Sequence, residues 1–197
     1  MVKAPVMGAV KTRLARAVGA IEAVRAYRAM VGDLLRRVER PARWQTVLVV
    51  APDAQTHAPF WPARRVRIGQ GRGDLGQRMQ AVFDSFGPVV IIGSDIPGIG
   101  TQHIAAAFHA FSSADAVIGP ADDGGYWLIG VSHRRRRMAP FSNVRWSTEH
   151  TLADTMRGFA DAKVALISTL TDVDHADEWR AWSHQPASAR LNGLRLP

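Results

Sequence analysis

PVVIIGSDIPG, residues 88–98, is the stretch on which the architecture turns. Its run of β-branched residues shows no polar alternation, so it predicts a strand covered on both faces, the habit of strands sandwiched between helices. The run stops abruptly. Ser94 and Asp95 leave the core toward solvent and Pro97 prevents continuation, which sets a carboxylate at the rim where the third strand ends. Ligands of open α/β sheets collect at the carboxyl ends of strands. Asp95 therefore reads either as a turn or capping aspartate or as a magnesium ligand, because that hard ion takes one or two carboxylates along with substrate phosphates.

Working outward, TVLVVAP (46–52) is another buried run, and RVRIGQG (65–71) is a strand nearer an edge. Ile21, Val24, Met30, Val31, Leu34, Leu35 and Val38 recur at helical spacing. They predict a helix from about Gly19 to the region of Glu39, closed by Pro41. Leu75, Met79, Val82 and Phe86 make one face of a second helix with Asp74 at its N-cap. Thr101 caps a helix carrying Ile104, Ala107, Phe108 and Phe111, and DAVIGPADDGGYWLIGV (115–131) reads as two strands around a glycine-rich turn. Ser147 or Thr148 caps a further helix with Leu152, Met156 and Phe159 inward, KVALIS (163–168) is a late strand, and 176–182 a short helix. Strands alternating with helices predict an α/β fold, a three-layer sandwich around a mostly parallel mixed sheet. One domain spans 1–184, and the polar 185–197 is a loosely held tail.

With 197 residues, 47% of them hydrophobic, the chain can bury one good core. No window approaches the apolar length of a bilayer span and the start lacks the regions of a signal peptide, so the expectation is a soluble, cytoplasmic protein. The absence of cysteine removes disulfides, thiolate catalysis and cysteine zinc sites together. His57, His103 and His109 show no mutual spacing suited to zinc. A net charge of +8 favours anionic partners. HRRRR (133–137) is the best support for nucleic acid, but no stacking aromatics are interleaved with it, which argues against that partner.

Three further loops carry polar chemistry. KAPVMGAVKTRL (3–14) sets a stiff proline and a permissive glycine before a helix-forming run, with Lys11 and Arg13 as cations, a pattern suited to phosphate. It equally describes a solvated basic turn, since it has neither Walker nor Rossmann spacing. Only Met1 and Val2 precede Lys3, where a phosphate loop usually follows a full strand. Asp123 and Gly124 form a hairpin signal as readily as an acceptor site. Asp172 and Asp174 in TDVDHADEW (171–179) cap a helix as readily as they bind a metal.

Taken in order, KAPVMGAVKTRL, QGRGDLGQRM (70–79), GSDIPG (93–98), GPADDGGYWLIG (119–130), VRWST (144–148) and TDVDHADEW resemble a bacterial glycosyltransferase family of the nucleotide-diphospho-sugar transferase superfamily. Some of its members are tied to arsenosugar pathways, and guanylyltransferases that activate 2-phospholactate or the molybdenum cofactor are more distantly similar. The resemblance implies the GT-A fold. It implies a nucleotide cradle at Lys3, Gly8, Lys11 and Arg13, with Gln70, Asp74 and Leu75 by the nucleoside. It makes Asp95 and Asp174 ligands of magnesium or manganese. It places Asp123, Gly124, Gly125 and Tyr126 on the side of a small-molecule acceptor, with Trp146, Ser147 and Thr148 closing over it. The implied activity is glycosyl transfer from a nucleotide sugar, with Lys11 and Arg13 neutralising phosphate charge and Asp123 as base. Nucleotidyl transfer to a phosphorylated acceptor, with release of pyrophosphate, and a catalytically inactive nucleotide-binding module are the alternatives. The chain departs from the family in its almost absent first strand, and in Asp174, His175 and Ala176 where relatives carry Asp-Thr-Pro.

Overall fold

The computed structural model of the chain describes residues 1–40, 42–96, 98–133 and 138–171. Pro41, Pro97, the arginines of HRRRR, Asp174, the expected helix at 176–182 and the tail from 185 lie outside the described residues. The described residues form two compact units.

Unit 1 comprises Met1–Gly69 and Ser94–Thr101. Its strands β1 (Val2–Lys3), β2 (Val47–Ala51) and β3 (Val66–Gly69) lie in that order, all parallel. The short first strand is present as two residues, with Val2 opposite Val50 and Lys3 opposite Ala51. β2 is central, and Leu48, Val49 and Val50 are buried as the unalternating run requires. β3 takes the edge. Gly19 separates helix α1 (Thr12–Val18) from α2 (Ala20–Val38). The core stripe of α2 runs through Ala23, Tyr27, Met30, Val31, Leu34 and Val38, whereas Ile21 is exposed. Glu22 in its first turn and Arg36 and Arg37 in its last complement the helix dipole.

Unit 2 comprises Gln70–Gly93 and Gln102–Thr171. Helix α3 (Leu75–Ser85) begins at a capping box: Asp74 accepts the Gln77 N–H at 2.8 Å, and the Asp74 N–H donates to Gln77 at 2.9 Å. Strands β4 (Val89–Ile92), β5 (Ala116–Pro120), β6 (Tyr126–Val131) and β7 (Val164–Leu166) form a mixed sheet in the order β4-β6-β5-β7. The β5 and β6 strands are the expected antiparallel hairpin, and β7 joins β5 in parallel. Helix α4 (Thr101–Ala110) buries Ile104 and Ala107, and α5 (Thr151–Gly158) precedes β7.

Several expectations are corrected. Among the described residues β4 pairs only with β6, antiparallel, and is half-buried, because an apolar run carries no information about its neighbours. Asp95 stands three residues beyond the strand's last residue, Ile92. Phe83 replaces Phe86 as the buried aromatic of α3, and Leu75 is 44% exposed. The inner face of α5 is Thr151, Asp154 and Thr155, with Leu152 and Met156 only partly buried.

Candidate functional site

In unit 1 the backbone leaves β1 at Lys3 and turns through Gly8, whose φ of 76° places it in the left-handed region, with open space where a side chain would stand. Lys11 ends the turn, itself left-handed at φ 47°, and α1 follows without a side-chain cap. At seven residues this helix is short, so charge rather than a helix dipole is what the loop offers an anion. The Lys11 ammonium lies 2.8 Å from Asp95 Oδ1. Its side chain is only 2% exposed, whereas that of Asp95 is 49% exposed. Sequence spacing brought these residues to no common point; the fold does. Arg13 and the Lys3 side chain are exposed.

Ser94 was expected in solvent, but it is 6% exposed and its Oγ lies 3.1 Å from the Tyr27 hydroxyl. Tyr27 also accepts from the Lys3 N–H at 3.0 Å and lies 3.1 Å from the Lys3 carbonyl. Burial, reinforced by the Asp95 charge, pushes the phenol up to about 12, so it stays protonated. Tyr27 escaped the sequence reading. The available signal was a tyrosine within a helix's buried stripe, where its hydroxyl needs a partner. A second tie reaches the same segment, for Arg37 Nη1 donates to the Ile99 carbonyl at 2.8 Å while Nε donates to buried Asp33 at 2.8 Å.

In unit 2, Asp123 Oδ1 accepts the Gly125 N–H at 2.8 Å, the turn reading of this aspartate. Gly124 is required twice over: its φ is 82°, and an added Cβ would stand 2.4 Å from the Glu149 carbonyl oxygen. Tyr126 is half-buried, and burial raises its phenol beyond the ordinary range, with Thr155 Oγ1 3.4 Å away. Gln70 is buried, whereas Asp74 is exposed and serves as the cap of α3. Trp146 and Phe141 lie over Gly76 at the start of α3, with their ring centroids 6.0 Å apart. This brings Trp146 to the same helix end as Asp74 and Leu75, which the sequence did not indicate. Ser147 has a φ of 60°, and Thr148 Oγ1 accepts the His150 N–H at 3.2 Å and donates to the Arg145 carbonyl at 2.9 Å.

Asp154 holds this loop. It accepts from the Arg145 N–H at 3.0 Å, Nε at 2.8 Å and Nη2 at 2.9 Å, and from Arg157. Those bonds hold its carboxyl well below the usual carboxylate range. Residues 145 and 154 share no helix or strand, so their pairing had no sequence signal.

Comparison with known proteins agrees with this fold. The family model DUF2064, described as an uncharacterized protein conserved in bacteria, matches residues 34–148. The chain belongs to this family. A crystal structure from Desulfovibrio desulfuricans, of a protein provisionally named a nucleotide-diphospho-sugar transferase, is similar at 31% identity with a TM-score of 0.77. That match covers 88% of this chain and 80% of the other. This family member therefore has the nucleotide-diphospho-sugar transferase fold. Rv0371c from Mycobacterium tuberculosis matches at 11% identity and a TM-score of 0.48, over 81% of this chain and 85% of its own. Its manganese complex matches at 13% and 0.47, over 79% and 84%. Both are too distant to speak for the ligands of this chain. No curated protein matches. No helix among the described residues is long and apolar enough to cross a membrane.

Proposed function

We propose that this DUF2064 protein is a metal-dependent transferase that takes a nucleotide sugar as donor and binds the donor's phosphates at Lys3, Gly8, Lys11 and Arg13. The observation that carries this reading is the asymmetry of the ion pair of Lys11 with Asp95. An ammonium withdrawn from water is costly unless its charge is met. Here it is met by a carboxylate that keeps half its surface in solvent, so Asp95 retains capacity for a divalent ion, which in turn draws the donor's phosphates to the same place. The name of the Desulfovibrio relative supports the same class of activity.

Among the described residues no three His, Asp or Glu side chains are grouped to hold a metal ion. A divalent ion, magnesium or manganese, would accordingly rest on Asp95 and on the donor's own phosphates, a common mode for magnesium. Asp174 is the second ligand under this reading. When bound, such an ion would spread the negative charge that builds on the leaving diphosphate. The chain's own residues do the rest. Lys11 and Arg13 orient the diphosphate and neutralise its charge. Gln70, Asp74 and Leu75 serve the nucleoside. Asp123 keeps one oxygen on Gly125 and offers the other as base to an acceptor hydroxyl. Gly124, Gly125, Tyr126, Trp146, Ser147 and Thr148 serve the acceptor.

Thermal melting against a panel of sugar nucleotides and nucleoside triphosphates, each with and without magnesium, tests this reading, because a ligand of the native state raises the melting point. A magnesium-dependent shift with sugar nucleotides is the expected result. A shift confined to triphosphates, with pyrophosphate released in the presence of a phosphorylated acceptor, would move the reading to nucleotidyl transfer. No shift with either class would overturn it.

A further inference from the structure

Tyr27 sits in the buried stripe of α2, 3% exposed, where an aliphatic side chain would meet the packing requirement alone. A tyrosine adds a hydroxyl that must be satisfied once buried. It has three neighbours: the Lys3 N–H at 3.0 Å, the Lys3 carbonyl at 3.1 Å and Ser94 Oγ at 3.1 Å. A phenol offers one proton and accepts through its oxygen. The Lys3 N–H can only donate and the Lys3 carbonyl can only accept, so the phenol's proton goes to that carbonyl. Ser94 must then be a donor to the phenol. The hydroxyl is fully used.

Its partners mark two particular places in the chain. At Lys3 the backbone leaves β1 for the turn that ends in Lys11, and Ser94 immediately precedes Asp95. One hydroxyl thus fastens the starts of the two segments whose charged side chains meet at 2.8 Å. Arg37, on the same helix, anchors the far side of the second segment through the Ile99 carbonyl.

We infer that Tyr27 is a positioning residue: its hydroxyl sets the meeting of Lys11 with Asp95 and, on the reading proposed above, the affinity for the donor's phosphates. It touches no ligand and acts through Lys3 and Ser94.

The chain's lysines are Lys3, Lys11 and Lys163, so amine labelling can report the pair without any ligand. Lys3 and Lys163 are exposed, whereas the Lys11 side chain is 2% exposed. Acetic anhydride labelling, read peptide by peptide by mass spectrometry, should find Lys11 in the wild-type protein slower than Lys163 by about tenfold or more. Tyr27→Phe keeps the ring and removes the hydroxyl, and should raise Lys11 labelling relative to Lys163 by roughly five- to tenfold while circular dichroism reports a folded protein. Ser94→Ala removes one of the three contacts and should give a smaller rise in the same direction. A folded Tyr27→Phe protein with Lys11 as protected as in wild type overturns the inference. If that variant does not fold, unchanged Lys11 protection in Ser94→Ala overturns it instead.

Melting shifts with UDP and GDP, each with magnesium, complete the test. Wild type should shift, and Tyr27→Phe should need a higher concentration for the same shift, by about tenfold. Equal responses of the two proteins would overturn the role toward the donor. No response in wild type to these or to any ligand of the broader panel would defeat the proposed function, while the labelling still decides whether Tyr27 positions the pair.

Discussion

Asp95 in unit 1 and Asp154 in unit 2 are both aspartates bonded to basic side chains, yet their exposures are inverted. Asp154 is 1% exposed and its partners Arg145 and Arg157 are 55% and 71% exposed. At Asp95 the carboxylate is 49% exposed and the lysine is 2% exposed. On the function proposed above, the difference separates a brace from a ligand site. A carboxylate whose oxygens are already occupied by one loop's N–H groups has little left for a ligand. A carboxylate facing water above a buried ammonium retains that capacity.

The sharpest way to break the comparison is Asp95→Asn. It should abolish the magnesium-dependent melting shift and lower turnover by about a hundredfold or more, with the fold retained at a lower stability because the buried Lys11 ammonium loses its counter-charge. Turnover close to wild type would make Asp95 a brace like Asp154. Asp154→Asn should instead spare the magnesium response of unit 1 while lowering stability and raising hydrogen exchange at residues 145–148. Its pH dependence follows from the depressed carboxyl. Between the unfolded value near ~3.9 and the lower folded value, the unfolded chain binds more protons, so the contribution is complete above that range and is lost as pH falls through it. The stability gap between wild type and Asp154→Asn should therefore be largest above about pH 4 and shrink below it in denaturant titrations. Asp33 has the opposite sign, since burial raises its carboxyl and its contribution grows as pH falls.

Two glycines sharpen the comparison at lower cost. Gly124→Ala meets both a left-handed backbone and the Glu149 backbone, and should cost about 3 kcal/mol in urea unfolding. Gly8→Ala meets only the backbone conformation, because the space around it is open. It should cost about 1 kcal/mol and weaken the nucleotide response. A stability loss as large as that of Gly124→Ala would show the turn at Gly8 to be a brace as well.

Wherever short-range rules govern, the sequence was legible. The core stripe of α2, the Asp74 cap, the edge position of β3 and the hairpin of β5 with β6 all follow from periodicity, capping chemistry or turn signals within a few residues. The Asp123 turn belongs with them, since its carboxylate and the Gly125 N–H are two residues apart. β4 was misread because a run of Val and Ile is equally at home inside a parallel sheet and beside a single antiparallel partner. Ser94 was misread because its burial depends on a hydroxyl supplied by α2.

By itself the sequence determined most of the described elements, their order, the family resemblance and which charged residues were available. Only the tertiary structure decided which of those charges met: Lys11 with Asp95, and Arg145 with Asp154. Helix and strand formation rests on sterics and hydrogen bonds between near neighbours, which a local pattern records. The meeting of two charges far apart in the chain, and the water left around each, depend on how the intervening elements pack, and no local spacing encodes that.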